Sequence, residues 1–586
     1  MPRANLEVAA AFRELADLEE MTGADRFRVL AYRRLADSVA GTAIDISKLS
    51  QPELLKLRGI GRGTVGKVQE ILETGAMAHL EQLRAQFPPG VKELTRLGGI
   101  GPKKAVLICR ELGVTGIADL KEAAEAGRLR EIPGLGEKTE QNILAAISRY
   151  SVTEHRILVS EALRIAEEIV DLLNGEPAVE KAAYAGSLRR MKETIGDLDI
   201  LVASARPTEV VEAFASLPRV ARVSARGSTK CSVVTDDGVE VDLRVVAPDE
   251  FGAAMQYFTG SQEHNVRVRE HAVKLGFKLS EYGLFRVREN GAPVAGDPVK
   301  VAGTTEDEVY GALGMQTPPP TLRENRGEVE AAMAGRLPEL VEVSDMRGDL
   351  QSHSNYSDGR ATMEQMALAA AGRGYEYYAV TDHGRDLRLK SLSLDDIDRQ
   401  AAEVRELNQK LKGKITILHG CELNIGPEGE LDYPDEVLAR FDILVASVHH
   451  AMKDDSEKMT RRVLRAVEHP LVNILGHPTG RRIGRREAFE FDIPVVAKAA
   501  AANNVALEIN SNPQRLDLKD DHIIAARRFG ALFAISTDAH SPSEFGLIDY
   551  GIAMGQRGWC TAGEVINTWP LPKLRRFLKK TGDGRP

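Results

Sequence analysis

Beyond about residue 346, short apolar runs end in histidine and acidic residues, six times in succession. These blocks are residues 349–358, 379–383, 418–422, 445–450, 475–478 and 535–540. Helical patterns lie between them, and alternating strands and helices with polar residues at the carboxyl ends of the strands predict a barrel with its site at one face. Because these residues are His, Asp and Glu without Cys, the site suits Zn²⁺, Mn²⁺ or Fe in a multinuclear hydrolytic centre.

The chain is too long for one core, since 586 residues predict about three to five domains. No apolar run approaches membrane-spanning length, so we expect no membrane partner. The four cysteines are far apart and form no C-x-x-C pair, which favours a reducing cytosol and a cytoplasmic, nucleoid-associated location. The net charge of −9 argues by itself against nucleic acid, but a carboxylate-rich metal domain can mask basic patches elsewhere.

A second chemical pattern lies in residues 186–201, where a Gly-Ser turn and two arginines precede Asp197 and Asp199. On a strand, residues two apart face the same side, so both carboxylates project together. Adjacent carboxylates repel each other unless a cation lies between them. Arginines and exposed turn amides suit phosphate, and the stretch therefore predicts a site for a metal–triphosphate.

The pattern Gly-Ser-x-Arg-Arg…Gly-Asp-x-Asp, followed by Asp242 on the strand 239–246, resembles the palm of a family X DNA polymerase, within the nucleotidyltransferase superfamily. The resemblance implies an α+β palm and thumb in which Asp197, Asp199 and Asp242 hold Mg²⁺ or Mn²⁺. It also implies a nucleotide site that comprises Arg156, Gly186, Ser187, Arg190 and Gly196. The chain departs from the family at Glu240, where an arginine is common, and at Ile195, where a phosphate-binding serine is found.

The string Tyr257-Phe-Thr-Gly-Ser resembles the sugar-sensing turn of the same family. The resemblance implies that Tyr257, Phe258 and Gly260 pack against the deoxyribose. It further implies that Asn265 and Arg269 touch the nascent base pair from the minor groove, where contacts check geometry and not sequence. Gapped or primer–template DNA and dNTPs are the partners expected from these matches.

Three segments near the N-terminus share a Gly-apolar-Gly pattern between helical stretches and resemble helix-hairpin-helix motifs, which bind DNA phosphates. Their glycines are Gly59 and Gly61, Gly99 and Gly101, and Gly134 and Gly136. Tyr32, Arg34 and Lys67 match the family's 5′-deoxyribose phosphate lyase residues, with Lys67 as the Schiff-base lysine, but Lys67 as a phosphate contact stays an equal alternative. A Lys67→Ala protein that still formed the borohydride-trapped adduct would exclude Lys67 as the Schiff-base lysine.

The C-terminal histidine blocks resemble the PHP (polymerase and histidinol phosphatase) domain, a distorted seven-stranded barrel with up to three Zn²⁺, Mn²⁺ or Fe ions. The ligands that the resemblance implies are His353, Asp358, His383, Glu422, His449, His477, Asp538 and His540. The chain departs from the motif at Gln351, where the family has histidine, and glutamine is a poor zinc ligand. His419 and His450 are interpreted as structural, and Arg481, Arg482, Arg485 and Arg486 either bind a phosphodiester or form a solvated loop.

The sequence thus predicts a multidomain chain with a helical DNA-binding N-terminal region, an α+β nucleotidyltransferase palm and thumb, and a distorted (β/α)7 PHP barrel. The expected segments are 1–82 (N-terminal DNA-binding), 83–150 (fingers-like hairpins), 151–248 (palm), 249–316 (thumb), 317–345 (extended proline-rich linker) and 346–580 (PHP).

The expected function is a monomeric DNA polymerase that fills short gaps in base excision repair. A PHP 3′–5′ exonuclease, with cleavage at abasic sites, accompanies it. Two alternatives remain: a PHP phosphomonoesterase tethered to DNA by an inactive polymerase-like module, and a structural DNA-binding module with a decayed polymerase. Hydrolysis of small phosphomonoesters without degradation of DNA would favour the first, and failure to extend a primer across a gap would favour the second.

Overall fold

A computed structural model of the chain describes residues 3–22, 25–40, 46–57, 59–61, 63–84, 91, 94, 100, 102–132, 134–152, 156–287, 299–385 and 391–578. The chain divides into two compact units, one of residues 1–154 with 541–544 and the other of residues 155–540 with 545–586. Each unit is described separately below.

The first unit is helical. Its described helices are α1 (Arg3–Thr22), α2 (Arg26–Ala40), α3 (Gln51–Leu54), α4 (Val65–Thr74), α5 (Ala78–Arg84), α6 (Pro102–Leu112), α7 (Ile117–Glu125) and α8 (Glu137–Val152). The apolar face of α1 is buried, since Val8, Phe12 and Leu15 are inaccessible to solvent. Buried side chains form one cluster between residues 8 and 83 and another between residues 91 and 147.

Two of the predicted hairpins lie in described segments. Gly59 and Gly61 connect α3 to α4, and Gly134 and Gly136 precede α8. Gly59 has a φ of +89°, and a Cβ there would lie 3.0 Å from the Cα of Leu35, so the close approach of two backbones requires glycine. Gly99 and Gly101 lie outside the described residues.

The second unit begins with an α+β module. Its elements are β1 (Ile157–Leu158), α9 (Val159–Asn174), β2 (Lys181–Tyr184), α10 (Gly186–Arg189), β3 (Thr194–Ile195), β4 (Asp197–Ala203), α11 (Pro207–Ala215), β5 (Val220–Arg226), β6 (Lys230–Thr235) and β7 (Glu240–Val246). The main sheet has the order β2-β4-β7-β6-β5, and β4 and β7 run parallel while the other neighbours are antiparallel. Strand β1, which pairs with β3, lies between α8 and α9 in the chain.

A smaller module follows, with α12 (Phe251–Thr259), α13 (Gln262–Lys274), β8 (Phe277–Ser280), β9 (Gly283–Arg286), β10 (Lys300–Ala302), α14 (Glu306–Ala312) and α15 (Glu328–Met333). The sheet has the order β10-β9-β8 and is antiparallel.

The proline-rich segment is not the extended linker that the sequence predicts. Residues 320–322 form a 3₁₀ turn, α15 follows, and the Arg323 side chain is fully buried against Glu306. Leu322, Val329 and Ala332 are buried as well, so this segment is part of a packed core.

The last module is a parallel barrel. Its strands are β11 (Gly348–Asp349), β12 (Tyr377–Val380), β13 (Thr416–Asn424), β14 (Ile443–Ser447), β15 (Ile474–Leu475), β16 (Ala506–Asn510) and β17 (Leu532–Ser536). They pair in chain order, and a bridge between Ser352 and Ala539 brings the first and last strands together, which confirms the predicted (β/α)7 barrel. Its helices are α16 (Met363–Gly372), α17 (Leu394–Lys410), α18 (Asp435–Leu438), α19 (Ser456–Val467), α20 (Ile493–Ala502), α21 (Asp520–Arg527), α22 (Ile548–Arg557) and α23 (Leu571–Leu578).

The amino end of the barrel is closed by the C-terminal helix. Leu574 and Leu578 of α23 pack with Trp569 against the residues that begin the strands, such as Ile443 and Ile474. The carboxyl ends of the strands therefore form the open face, where a site is expected in a parallel barrel.

Candidate functional site

The parallel pairing of β4 and β7 brings the palm carboxylates together. Asp199 is the register partner of Asp242, and Asp197 lies two residues before Asp199 on the same face. Apolar residues on both strands alternate with these acids and are buried, so the pattern predicted from the sequence is confirmed. The Ser232 hydroxyl on β6 donates a hydrogen bond to Asp242, which fixes that carboxylate.

The three carboxylates repel one another. Burial, then the negative charges of Asp197 and Asp242, raise the pKa of Asp199 to about 7. A divalent cation between the carboxylates would relieve this repulsion, which is the arrangement that two-metal phosphoryl-transfer sites use. The donor set consists of three carboxylates, which suit Mg²⁺ or Mn²⁺. Their oxygens are not among the groups within 4.8 Å of one another that are found in the described residues.

Gly186 adjoins Asp199 so closely that a Cβ at this position would displace the Asp199 carboxylate. It has a φ of +62°, and a Cβ there would lie 2.2 Å from Oδ2 of Asp199. The backbone N–H of Ala185 donates to the carbonyl of Asp199 over 2.8 Å. The half-buried Ser187 follows on the short helix α10, so the Gly-Ser turn lies directly against the carboxylates.

The two predicted phosphate-binding arginines have protein partners. Arg190 Nε lies 3.1 Å from Oε1 of Glu324, and its Nη1 donates to the Thr259 carbonyl over 2.5 Å. Arg156 Nε donates to Oγ1 of Thr194 over 2.9 Å. The side chain of Arg156 is exposed, and its Nη1 lies 3.2 Å from the position of a Cβ at Gly196, so a larger residue at Gly196 would crowd the guanidinium.

The Tyr257-Phe-Thr-Gly-Ser string, predicted to sense the sugar, contributes two half-buried rings at the end of α12. The Tyr257 and Phe258 rings meet edge to face with centroids 5.1 Å apart, and Gly260 follows with a φ of +67°. Asn265 is buried, and its Nδ2 donates to the Tyr257 carbonyl over 2.7 Å. Arg269 is exposed, and its Nε donates to the Asn265 carbonyl over 3.2 Å.

In the helical unit, Lys67 Nζ donates a hydrogen bond to the Tyr32 hydroxyl over 2.8 Å. The same Nζ lies 4.8 Å from the centroid of the Tyr32 ring, a cation–π distance. Arg34 is exposed. The pairing of Lys67 with Tyr32 is compatible with both the lyase and the phosphate-contact hypotheses, and lyase chemistry stays a prediction.

The open face of the barrel gathers the predicted metal ligands. Three groups have potential ligand atoms within 4.8 Å of one another: His353, Asp358, His383 and His540; His383, Glu422 and His449; and His353, Glu422 and Asp538. His477 adjoins them, since its Nε2 lies 3.0 Å from Oε1 of Glu422. All eight residues that the PHP resemblance implies therefore lie in one cluster.

Glu422 lies at the centre of this cluster. His477 and His449 contact its Oε1, and His383 and His353 contact its Oε2 at 3.2 and 3.4 Å. Although burial would raise the pKa of Glu422, the surrounding imidazoles, His383 foremost, hold it well below its usual range. Although these nitrogens are close, the contacts do not meet the geometry of a hydrogen bond. In the described part of the chain, both Glu422 oxygens and Nδ1 of His353, His449 and His477 therefore lack hydrogen-bond partners. Buried, unpartnered N and O donors fit transition-metal ions.

Two of the predicted ligands have an unusual backbone conformation. His477 has a φ of +24° and Asp538 a φ of +55°, although neither is glycine. Such conformations cost roughly 1–3 kcal/mol each and persist where the surrounding structure enforces them, most often at functional sites.

Gln351 is fully buried next to the cluster, and its backbone carbonyl accepts a hydrogen bond from Asp538. Among the described residues, neither its Oε1 nor its Nε2 has a hydrogen-bond partner. The amide oxygen is thus available to a cation, but Gln351 belongs to none of the three ligand groups found among those residues.

Several buried polar residues around the cluster escaped the sequence analysis. Glu508 on β16 is fully buried, and burial, then the charge of Asp538, raises its pKa well above the usual value. Asp382 accepts hydrogen bonds from Ser354, Ser357 and Gln400. Glu508 lies in the otherwise apolar run 506–509, and an acid inside an apolar strand was the signal that could have indicated it.

His419 and His450 lie apart from the ligand groups. His419 Nε2 contacts Oε1 of Gln400 at 3.0 Å, and burial lowers the pKa of His419 to about 4. His450 Nδ1 contacts Oδ1 of Asn424 at 3.1 Å.

Comparison with known families matches four parts of the chain. The matched families are a helix-hairpin-helix domain (residues 3–77), a SAM-like helix-hairpin-helix tandem (91–149), the DNA polymerase beta thumb (254–324) and the PHP domain (349–512). Over nearly its whole length the chain is similar to the DNA polymerase/3′-5′ exonuclease PolX of Bacillus subtilis, with 36% identity over 577 residues, 98% of this chain and 99% of the relative. The chain belongs to the PolX family of DNA polymerases.

The PHP part of this PolX-family chain also has shorter relatives. A probable phosphatase of Thermoanaerobacter sp. strain X514 is 28% identical over 244 residues, 40% of this chain and 94% of the relative. A probable phosphatase of Shewanella sp. strain ANA-3 is 28% identical over 233 residues, 38% of this chain and 86% of the relative. No helix in the described ranges is both long and apolar enough to cross a bilayer.

Proposed function

We propose that this chain is a DNA-directed DNA polymerase that fills short gaps in base excision repair, and that its PHP barrel is a 3′–5′ exonuclease that also cleaves at abasic sites. The observation that carries the proposal is the presence of two separate acidic centres in one chain of the PolX family. One comprises the carboxylates of Asp197, Asp199 and Asp242, and the other is the buried His, Asp and Glu cluster around Glu422.

At the polymerase centre, two Mg²⁺ or Mn²⁺ ions, when bound, supply the charge that lowers the pKa of the primer 3′-hydroxyl and stabilises the departing pyrophosphate. Asp197, Asp199 and Asp242 would hold those ions. Ser232 orients Asp242, and Gly186 lets the Gly-Ser turn approach the carboxylates. Ser187, Arg190 and Arg156 would bind the triphosphate, Tyr257, Phe258 and Gly260 would pack on the sugar, and Asn265 and Arg269 would contact the base pair.

At the PHP centre, up to three Zn²⁺, Mn²⁺ or Fe ions, when bound, supply Lewis acidity for hydrolysis of a phosphodiester. His353, Asp358, His383, Glu422, His449, His477, Asp538 and His540 would hold them. Gln351 offers an amide oxygen where the family has an imidazole, and therefore the proposal includes one weaker metal position there.

The domain boundaries, the partners and the location belong to the same proposal. We divide the chain into residues 1–82, 83–150, 151–248, 249–316 together with the packed segment 317–345, and 346–580. The protein would be a cytoplasmic, nucleoid-associated monomer that binds gapped or primer–template DNA through the hairpins at Gly59, Gly61, Gly99, Gly101, Gly134 and Gly136, and dNTPs at the palm.

Point substitutions test whether the two centres are separate. Asp242→Ala should reduce gap filling to background and leave exonuclease activity, because it removes a polymerase carboxylate only. His353→Ala or Asp538→Ala should do the reverse. The measurements are extension across a one-nucleotide gap and degradation of a labelled single strand with Mn²⁺, with circular dichroism as the folding control. Loss of both activities in any one folded variant would contradict the two-centre proposal.

The probable phosphatases similar to the barrel favour a second candidate, hydrolysis of a small phosphomonoester. The wild type and the His353→Ala variant decide between the two candidate functions. Release of phosphate from p-nitrophenyl phosphate without degradation of DNA, lost in His353→Ala, would replace the exonuclease proposal by a phosphomonoesterase.

A further inference from the structure

A short hairpin rich in arginine follows His477 at the open face of the barrel. In this arginine hairpin, residues 480–486, Arg482 and Arg486 exchange backbone hydrogen bonds of 2.8 Å in each direction. Gly484 at its tip has a φ of +71°, which a tight turn of this kind requires. The Arg486 Nε donates to the Gly480 carbonyl over 2.7 Å, so the hairpin holds its own shape.

The hairpin is attached to the rest of the protein at Arg481 and at Ile483. Ile483 N–H donates to the Gln514 carbonyl over 2.7 Å, which places the hairpin along the segment after β16. Arg481 donates to the Leu516 carbonyl and forms an ion pair of 2.7 Å with Glu193, in the loop before β3 of the palm. The hairpin therefore lies where the palm and the barrel meet, and it is fixed to both.

Arg515 connects the hairpin to the metal-ligand cluster. Its Nε lies 3.7 Å from Oδ2 of Asp538, and only 12% of its side chain is exposed. Its Nη1 is buried and has no hydrogen-bond partner among the described residues. A guanidinium that keeps an unpartnered N–H at the edge of a hydrolytic centre has a donor available to an anion.

Arg482 and Arg486 lie close to Arg515 and are not neutralised. Both are exposed, and no carboxylate in the described ranges forms an ion pair with either. Partial desolvation, then the positive charge of Arg515, lowers the pKa of each. Asp538 and Asp517 offset part of the positive charge of Arg482 and Arg486, and Arg515 faces Asp538. The two hairpin guanidinium groups still have no ion-pair partner of their own among the described residues, so a bound polyanion would stabilise them.

We propose that Arg482 and Arg486 bind the backbone phosphates of a single-stranded DNA 3′ tail next to the scissile phosphodiester. These arginines form an arginine path along the strand, and Arg515 lies at its inner end, beside Asp538. The inference rests on the proposed exonuclease function. A small phosphomonoester carries one phosphate and would leave the outer arginines without an anion, whereas a strand presents several phosphates in a row. The ion pair between Arg481 and Glu193 places the arginine path beside the palm, from which a 3′ tail would come.

The test compares substrates that differ in the number of phosphates. We would measure steady-state hydrolysis of a labelled single-stranded oligonucleotide and of thymidine 5′-(p-nitrophenyl phosphate), which has a single phosphodiester, by the full-length protein with Mn²⁺. The variants are Arg482→Gln/Arg486→Gln, the charge-conserving Arg482→Lys/Arg486→Lys, and the control Arg461→Gln, which removes one exposed arginine that already pairs with Glu457.

The Gln variant should raise KM for the oligonucleotide about tenfold with kcat within about twofold, since charge-assisted contacts to flanking phosphates are lost. Hydrolysis of the nucleotide ester should not change. The Lys variant should restore KM to within about threefold, and Arg461→Gln should match the wild type. An unchanged KM for the oligonucleotide, or equal losses on both substrates, would overturn the proposal.

Binding separates this proposal from the exonuclease proposal itself. With a nuclease-resistant phosphorothioate single strand, the Gln variant should weaken the Kd about tenfold. The slope of log Kd against log salt should fall by about 1.4, or about 0.7 for each lost phosphate contact. A wild type inactive on both substrates would contradict exonuclease activity, and an unchanged Kd and slope would overturn the arginine path whether or not the nuclease is active.

Discussion

Asp199 has an electrostatic environment that disfavours its own ionisation. With a pKa of about 7 in the metal-free protein, its negative charge is present above neutral pH and largely absent at pH 5. Because the pKa in the unfolded chain is near 3.8, ionisation of Asp199 costs folding free energy that begins near pH 4, grows up to about pH 7 and is then constant. Proton binding at Asp199 thus competes with the cation that the site is expected to hold.

The substitution Asp199→Asn should therefore stabilise the metal-free protein while it abolishes synthesis. We expect a gain of roughly 2–4 kcal/mol at pH 8 that declines below pH 7 and vanishes near pH 4. The measurement is thermal unfolding in chelator across this pH range. Addition of Mg²⁺ should raise the melting temperature of the wild type more than that of the variant. A variant less stable than the wild type at pH 8 without metal would contradict the assigned repulsion.

Among the elements, α14 and the segment after it are held by a buried ion-pair network. Arg323, fully buried, pairs with Glu306 on α14, and Arg189 on α10 pairs with the same carboxylate. The Arg323 guanidinium also lies 5.2 Å from the centroid of the Tyr310 ring. Although burial would raise the pKa of Glu306, Arg323 and Arg189 lower it to about 2.

Glu306→Gln should destabilise the protein, because it leaves two arginines with an uncompensated charge. We expect a loss of about 3–5 kcal/mol at pH 7. The folded pKa is depressed, so the contribution of Glu306 is complete above about pH 4.5 and is lost as the pH falls toward 2. Thermal unfolding should show the same gap between wild type and variant at pH 7 and pH 5, and a narrower gap at pH 3. As a control, Glu457→Gln removes an exposed carboxylate and should change stability by less than about 1 kcal/mol.

The strands and helices also show which parts of the fold could be predicted from the sequence. The alternation of β4 and β7 was predictable because each strand has one buried face, and the barrel was predictable because its ligand blocks recur at strand ends. The burial of Arg323 was not, because its partner Glu306 and the residues that cover it come together only in the fold. Proline near residue 318 indicates a break in regular structure and carries no information about what packs on it.

Partners that are distant in the chain limit the prediction of the site in the same way. The motif Asp-x-Asp fixes which face Asp199 points to, but its register against Asp242 depends on how β4 and β7 pair. The metal cluster was predictable as a set, whereas Glu508 and Asp382, which support it, follow no local pattern. The anchoring of Arg481 by Glu193 joins residues 288 positions apart, and no sequence pattern indicates it.

At the scale of the whole molecule, Arg557 on α22 ties the barrel to the polymerase module. Its Nη1 donates to the Arg190 carbonyl over 2.7 Å and lies 3.0 Å from Oε1 of Glu324. Its Nη2 lies 2.5 Å from Oδ2 of Asp520, a carboxylate that Arg326 also contacts at 3.0 Å. Only 3% of the Arg557 side chain is exposed, so this network is an internal part of the fold.

Arg557→Met should weaken both stability and synthesis, although Arg557 lies in the nuclease barrel. The half-buried carboxylates of Glu324 and Asp520 lose a partner, and we expect a loss of about 3–5 kcal/mol. The Arg190 loop also loses a hydrogen bond, so KM for dNTP should rise several-fold. The measurements are thermal unfolding and gap-filling kinetics below the transition. Arg440→Met, which breaks an exposed ion pair with Asp398 on the same barrel, should cost less than about 1 kcal/mol and leave KM unchanged. An unchanged KM for dNTP in Arg557→Met would contradict an influence of the barrel on the nucleotide site.

Glu324 receives Arg190 on one side and Arg557 on the other. A triphosphate that attracts Arg190 leaves this carboxylate to Arg557 and to Lys192, which lies 3.7 Å away. Binding linkage is reciprocal: whatever factor the nucleotide imposes on the contact between Arg557 and Glu324, a change in that contact imposes on nucleotide affinity. An effector that binds only at α22 would thus change the affinity for dNTP. The polymerase module, which makes phosphodiester bonds, would then respond to the state of the barrel, which breaks them.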